Sequence, residues 1–207
     1  HLRTRRQRQM CIRDRAIMAN GALILQFPLA HSFLLSQRGQ KILSLLGPKD
    51  LAISLSTTSF TIVASIQLFV LFMLWSPSKI VFELPFEFLI YFLPFLYCLS
   101  WFLLIVATID AGLEVQSGAL GWISVLARNK PKFPELPTTG LYKIIRHPIY
   151  ASFFLAVLTV PTWTADQIVV SLILGGYCIF APILKDRRLT ERHGEKYLRY
   201  KNTTPYM

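Results

Sequence analysis

The sequence is poor in charge: of its 207 residues only 16% are Asp, Glu, Lys or Arg, whereas 53% are hydrophobic. A soluble domain carries charge on about a quarter of its residues. The uncharged residues also form long continuous runs instead of amphipathic stripes, which excludes an ordinary water-soluble globular protein. The scarcity of charge therefore predicts an integral membrane protein.

The sequence also has few cysteines and lacks the common cofactor motifs. Of its three cysteines, Cys11 lies in a basic N-terminal segment, while Cys98 and Cys178 lie within apolar runs. No spacing typical of a metal site or a disulfide framework is present, so we expect no metal ligands. No glycine-rich dinucleotide fingerprint occurs either, which argues against a nicotinamide-dependent enzyme.

The net charge of +11 has two sources. Residues 1–15 contain six arginines and one aspartate, so they contribute +5 and leave +6 for the remainder. This segment lacks apolar periodicity, and residues 9–15 look like translated sequencing-adaptor sequence. We interpret residues 1–15 as a non-native leader, with a native basic tail as the alternative, and residues 16–207 as one membrane domain. The remaining cations lie between apolar runs, where they set membrane topology, so we expect no nucleic-acid partner.

The apolar runs predict an all-α, polytopic membrane protein with about five transmembrane helices. Lysine and arginine concentrate between the first and second runs, between the third and fourth, and after the fifth. This alternation predicts an external N-terminus, a cytoplasmic C-terminus and a helix at the cytosolic face that begins near Lys185. A bacterial inner membrane is the expected location. The five runs comprise residues 16–37, 51–75, 88–109, 148–165 and 167–184.

Two polar stretches, residues 140–150 and 185–200, flank the last two runs, and we expect them to meet at one membrane face. The first helical turn after Arg146 and His147 offers unpaired N–H groups and a positive dipole end, which suit a carboxylate or phosphate. Asp186 supplies an acid, and tyrosine rings supply faces for an aromatic base or a cation. A ligand with these complementary parts is S-adenosylmethionine. The alternative is that the cations are only topology signals and the tyrosines an interfacial belt.

The order of these residues resembles a known family. The segment Gly140-Leu-Tyr-x-x-x-Arg-His-Pro-x-Tyr150, followed by two close spans and an Arg-x-Leu-x-x-x-x-Gly-x-x-Tyr-x-x-Tyr tail ending at Tyr200, is similar to the integral-membrane methyltransferase superfamily. That superfamily includes isoprenylcysteine, phospholipid and methanethiol methyltransferases. The resemblance is strongest over residues 138–205. His193-Gly194 and His31-Ser32 are most similar to the methanethiol branch.

The resemblance implies a metal-free transfer of a methyl group from S-adenosylmethionine to a small thiol such as methanethiol, or to another lipophilic acceptor, with membrane lipid as a further partner. His193 and His31 are the candidate proton acceptors, because histidine titrates near neutral pH. Alternatives are an isoprenylcysteine- or phospholipid-type methyltransferase, a membrane reductase, or a non-catalytic accessory protein of nitrogen-oxide metabolism. The resemblance implies a cofactor site made of Tyr142, Arg146, His147, Pro148, Tyr150, Asp186, Arg187, Tyr197 and Tyr200.

Two positions depart from the pattern of the superfamily. The superfamily has a Glu-Glu pair where this chain has Lys185-Asp186, so one charge is reversed. It also has glycine at the position of Ser152. We expect Asp186 to serve as the remaining acid, and the effect of Lys185 on cofactor affinity is a question for the structure.

Overall fold

A computed structural model describes residues 2–48, 50–52 and 54–207, with side chains from residue 14 onward. The regular secondary structure of the described residues is almost all helix, which confirms the predicted fold class. Two short strands, β1 (Val81–Phe82) and β2 (Trp163–Thr164), pair antiparallel. The helices are α1 (Leu2–Leu34), α2 (Gln37–Ser44), α3 (Ser56–Met73), α4 (Leu89–Asp110), α5 (Leu113–Gln116), α6 (Ala119–Leu126), α7 (Leu141–Ile144), α8 (Pro148–Leu158), α9 (Ala165–His193) and α10 (Glu195–Thr203).

Within the described residues, four helices are long and apolar enough to cross a membrane: residues Asp14–Leu34 of α1, and the whole of α3, α4 and α9. Each has at least 18 residues, close to the ~20 that the hydrocarbon core requires. Large apolar side chains of α4, such as Phe95, Phe102 and Ile105, are more than half exposed. On a helix that crosses a bilayer, these side chains face lipid.

The predicted fourth span differs from the structure. Its helix, α8, has only 11 residues and rises about 16 Å at 1.5 Å per residue, roughly half the hydrocarbon thickness. Helical hydrogen bonding stops before Pro161, whose ring and missing N–H oppose continuation. The chain then continues without helical hydrogen bonding into β2. Gln167 and Ser171 each donate a hydrogen bond of 2.8 Å to the carbonyl of Val157, which satisfies backbone that lipid could not.

The tail prediction is also corrected. The sequence suggests a break near Lys185, but α9 continues as one helix from Ala165 to His193. Lysine, aspartate and arginine are compatible with helical backbone, so the change from apolar to polar residues marks the exit from the membrane and not the end of the helix. A separate terminal helix, α10, begins only after Gly194, which has a φ of +53°.

The hairpin of α8 and α9 packs through small residues. Ser171, Gly175, Cys178 and Ala181 of α9 are all buried, and their spacing places them on one helix face. At Gly175, a Cβ atom would lie 3.4 Å from the ring of Phe154 on α8. Small side chains allow this close approach between membrane helices. Together with α4, which packs on the other side of α8, they fix the start of α8 relative to the end of α9.

The end of the bundle away from the polar tail is closed by Asp166. Its carboxylate accepts hydrogen bonds from the Asn20 side chain at 2.8 Å, the Ser78 N–H at 2.8 Å and the Ser78 hydroxyl at 2.6 Å. These bonds join α1, the loop after α3 and the start of α9. The non-basic loops therefore meet at one end of the bundle and the basic tail lies at the other, as the alternation of charges predicts.

Candidate functional site

The first polar stretch meets the tail at Asp186. This carboxylate is buried near the end of α9, with 6% of its surface exposed. Its Oδ1 atom lies 2.9 Å from Nε2 of His147, and its Oδ2 atom lies 3.5 Å from Nη2 of Arg146. Lys201 lies farther away, at 3.9 Å. The structure therefore brings three of the predicted cofactor residues into direct contact.

The helix α10 adds two tyrosines to this cluster. Tyr197 is fully buried, and its hydroxyl donates a hydrogen bond to Oδ1 of Asp186. The hydroxyl of Tyr200 donates a hydrogen bond of 2.5 Å to the backbone carbonyl of Tyr142. Because Gly194 turns the chain between α9 and α10, α10 folds back beneath α7 and α8 and closes the cluster from the water side.

Residues near the C-terminus also hold the cluster, and the sequence analysis missed them. The N–H of Arg146 donates to the carbonyl of Pro205 at 2.9 Å, and its Nη1 donates to the carbonyl of Lys201 at 2.7 Å. The Tyr206 ring lies 5.0 Å from the His147 ring, and its hydroxyl donates to the carbonyl of Ile179 at 2.6 Å. The only sequence signal for Lys201, Pro205 and Tyr206 is that they follow closely after the motif tyrosines Tyr197 and Tyr200.

The backbone before α8 is held by Gly140 and Asp110. Oδ2 of Asp110 accepts a hydrogen bond of 2.8 Å from the N–H of Leu141. A Cβ atom at Gly140 would lie 2.1 Å from the same oxygen, and Gly140 has a φ of +59°. Both the close approach and the left-handed conformation require glycine. This contact explains the first residue of the motif, and Asp110 was not predicted.

The next residues place the start of α8. Proline at position 148 is the first residue of α8, where its missing N–H costs no helical hydrogen bond. His147 is the residue before it, with a side chain that is buried against Asp186 and Tyr206. Tyr150, one turn further on, lies 6.1 Å from His147 between ring centroids. Arg187, the next residue after Asp186 on α9, is exposed and forms no hydrogen bond or ion pair with His147 or Tyr197 among the described residues.

Two hollows flank Arg146. The inner hollow has a volume of about 150 Å³, and its wall includes Tyr142, Lys185, Tyr197 and the proline-rich residues 134–137. The outer hollow has a volume of about 530 Å³ and is lined by Asp186 and Arg187 among others. Ligand pockets commonly have volumes of about 300–1,000 Å³, so the inner hollow alone is too small for a nucleoside. Three of the predicted cofactor residues, His147, Pro148 and Tyr150, line neither hollow.

Burial sets the protonation of the groups around Arg146. It lowers the pKa of His147, and the positive charges of Lys185 and Arg146 act in the same direction, against the opposing effect of Asp186. We therefore treat His147 as neutral. Burial raises the pKa of Tyr142 and Tyr197 and raises that of Tyr200 to about 12. At neutral pH these hydroxyls are protonated donors.

The two candidate catalytic histidines lie apart. His193 is at the end of α9 and lines the inner hollow. His31 is on α1, where its ring packs against Phe27 and Phe60 at centroid distances of 5.5 and 4.8 Å. Its Nδ1 atom is buried and has no hydrogen-bond partner among the described residues. Only His193 shares a hollow with the cofactor candidates, and both catalytic roles stay predictions.

Together, the fold and the site define a helical membrane protein with a buried Arg-His-Asp-Tyr cluster at the end of its last hairpin. Comparison with curated proteins finds relatives named methanethiol S-methyltransferase, which confirms the resemblance predicted from the sequence. The chain is 31% identical to the protein from Pseudomonas deceptionensis over 143 residues, which cover 69% of this chain and 55% of the relative. This chain therefore spans little more than half of that relative.

Other relatives match over a longer part of this chain. The chain is 25% identical to the methanethiol S-methyltransferase of Crocosphaera subtropica over 195 residues, which cover 93% of this chain and 74% of the relative. It is 26% identical to methanethiol S-methyltransferase 1 of Bradyrhizobium diazoefficiens over 187 residues, which cover 90% of this chain and 64% of the relative. No protein-family model and no solved structure matches the chain.

Proposed function

We propose that this protein is an integral-membrane methyltransferase that uses S-adenosylmethionine to methylate a small thiol such as methanethiol. The observation that carries the proposal is the contact of Arg146, His147, Asp186 and Tyr197 at one end of the bundle, in a chain whose relatives are named for this reaction. The basic residues around this end support a cytoplasmic active face in a bacterial inner membrane.

The donor groups around the inner hollow fit the cofactor. Two polar atoms, Oη of Tyr142 and Nε of Arg146, are buried without a hydrogen-bond partner among the described residues. An unpaired buried polar group is costly unless a ligand satisfies it. A nucleoside needs more space than the inner hollow provides, so we propose that binding joins the two hollows at Arg146, the residue that lines both.

The cofactor, when bound, supplies a methyl group on a positively charged sulfur. Arg146, together with the N-terminus of α8, would hold its carboxylate. The carboxylate of Asp186 would accept hydrogen bonds from the ammonium group or the ribose hydroxyls of the cofactor. These bonds would replace part of the present contact between Asp186 and Arg146. Tyr197 and Tyr200 would line the base, while α10 and residues 134–137 would exclude water. Such positioning and desolvation are the main contributions that a protein makes to a displacement reaction.

The thiol acceptor must lose a proton when its sulfur gains a methyl group. We propose His193 as the acceptor of this proton, because it lines the inner hollow. His31 is the second candidate, and its position within α1 suits an acceptor that enters from lipid. Substitution of each histidine by glutamine, with turnover measured from pH 6 to 9, would separate the two roles. Loss of the proton acceptor lowers the rate near neutral pH and moves its rise to the higher pH at which the thiol itself ionises.

The test of the proposed function is cofactor binding followed by acceptor selection. We expect the protein in lipid nanodiscs to bind S-adenosylhomocysteine by calorimetry, and an Arg146→Ala variant to bind at least tenfold more weakly, the loss of one charge-assisted contact. Arg38→Ala, which removes an exposed arginine on α2, is the matched control.

Labelled S-adenosylmethionine should then transfer its methyl group to methanethiol, and not to phospholipid or prenylcysteine. Absence of S-adenosylhomocysteine binding by folded protein would overturn the proposal. Thermal protection by NADPH alone would support the membrane-reductase alternative instead.

A further inference from the structure

The ammonium group of Lys185 lies over two tyrosine rings. Its Nζ atom is 5.9 Å from the ring centroid of Tyr142, on α7, and 5.7 Å from that of Tyr150, on α8. An aromatic ring attracts a cation within about 6 Å of its centroid. The two rings therefore form a cation site, which we call the Tyr142–Tyr150 pair, and a cation of the protein itself occupies it.

One ring of this pair, that of Tyr142, lies at the wall of the inner hollow. Both Lys185 and Tyr142 line that hollow, together with Arg146 and Tyr197. A cationic ligand that enters the hollow therefore reaches the Tyr142 ring on the side where the Lys185 ammonium lies.

The neighbouring carboxylate does not neutralise Lys185. Asp186 follows it in sequence, but the Asp186 oxygens turn toward His147 and Arg146 and accept the hydroxyl of Tyr197. Among the described residues, Lys185 forms no ion pair, and the positive charge of Arg188 opposes the longer-range attraction of Asp186. The Tyr142–Tyr150 pair thus carries a positive charge that is not balanced by direct contact with an acid.

We propose that Lys185 is a specificity-determining residue that competes with the cationic sulfur of the methyl donor for the Tyr142–Tyr150 pair. The inference rests on the proposed function and concerns the same site. A sulfonium at the pair would have to displace the ammonium of Lys185, because two positive charges over the same rings repel each other. The demethylated product has a neutral sulfur and pays no such penalty. Lys185 therefore shifts the preference of the site from the donor toward the product.

The test compares the affinities of S-adenosylmethionine and S-adenosylhomocysteine, which differ in the charge on sulfur. Lys185→Met keeps an unbranched side chain only one atom shorter and removes its charge. We expect this variant in nanodiscs to bind S-adenosylmethionine about tenfold more tightly than the wild type, a change of about 1.4 kcal/mol. Its affinity for S-adenosylhomocysteine should change by less than about twofold. Lys185→Arg keeps the charge and should keep the wild-type ratio of affinities.

Two controls separate a charge effect from a general one. Lys143→Met removes an exposed charge from α7 and should leave the ratio unchanged. Lys185→Gln provides a second neutral variant if Lys185→Met does not fold. An unchanged ratio in a folded neutral variant, with product binding intact, would overturn this inference and leave the proposed function standing. Failure of both ligands to bind the wild type would overturn both.

Discussion

Replacement of Asp186 by alanine should destabilise the protein more than replacement of any exposed acid. The substitution removes the carboxylate that contacts Arg146, His147 and Tyr197, and the side chains of both Asp186 and Arg146 are 9% exposed. Removal of one partner from a buried ion pair costs about 3–5 kcal/mol, because the remaining charge stays buried. Arg146 keeps its bond to the Lys201 carbonyl, so we expect the lower end, about 3 kcal/mol.

Thermal unfolding in detergent, followed by tryptophan fluorescence, measures this loss. For a chain of about 150–250 residues, 1 kcal/mol shifts the midpoint by about 2–4 °C, so Asp186→Ala should lower it by about 6–12 °C. Asp186→Asn keeps a hydrogen-bond acceptor for Tyr197, so its unfolding midpoint should lie between those of Asp186→Ala and the wild type. Glu135→Ala is the matched control, because its ion pair with Lys196 is largely exposed and it should leave the midpoint unchanged. Equal midpoints for Asp186→Ala and Glu135→Ala would refute the reasoning.

Two further predictions concern the residues that position the cluster. Gly140→Ala should lower the free energy of unfolding by at least about 1–2 kcal/mol and abolish cofactor binding, because residue 140 has a left-handed conformation and its new Cβ would collide with Asp110. Gly176→Ala is the control, because its Cβ would meet open space, and it should be neutral or stabilising. Equal unfolding midpoints for the two variants would contradict this prediction. His147 has a lowered pKa from burial, so the stability it contributes is complete above its unfolded pKa of about 6.5 and declines as the pH falls below that value. A His147→Gln variant should show a smaller fall in midpoint between pH 6.5 and 5, and an identical fall would show that other groups cause it.

The sequence predicted the membrane class and the meeting of the two polar stretches because both have local signals. Long uncharged runs indicate membrane spans directly, because the apolar core of the bilayer disfavours charged residues. Arg146 and His147 precede an apolar run and Asp186 follows the next one, so a hairpin of two runs necessarily returns them to one end. The contact between them follows from this topology.

Other parts of the site have no such signal. Asp110 closes an earlier helix, and its bond to Leu141 joins residues 31 positions apart, which no local pattern reveals. Tyr206 reaches the cluster only because α10 folds back after Gly194. The length of α8 was also overestimated, because hydropathy measures how apolar a run is and does not show where helical hydrogen bonding ends. These features depend on the tertiary path of the chain.

The short α8 has a consequence for biogenesis. With 11 helical residues, α8 alone is too short to be inserted as an independent span. Within the described part of the chain, the side chains of Gln167 and Ser171 of α9 donate hydrogen bonds to the carbonyl of Val157 at its end. The two segments must therefore enter the bilayer together. Since Arg146 precedes α8 and Asp186 lies near the end of α9, the insertion step that buries the hairpin also delivers both halves of the cluster to the same leaflet.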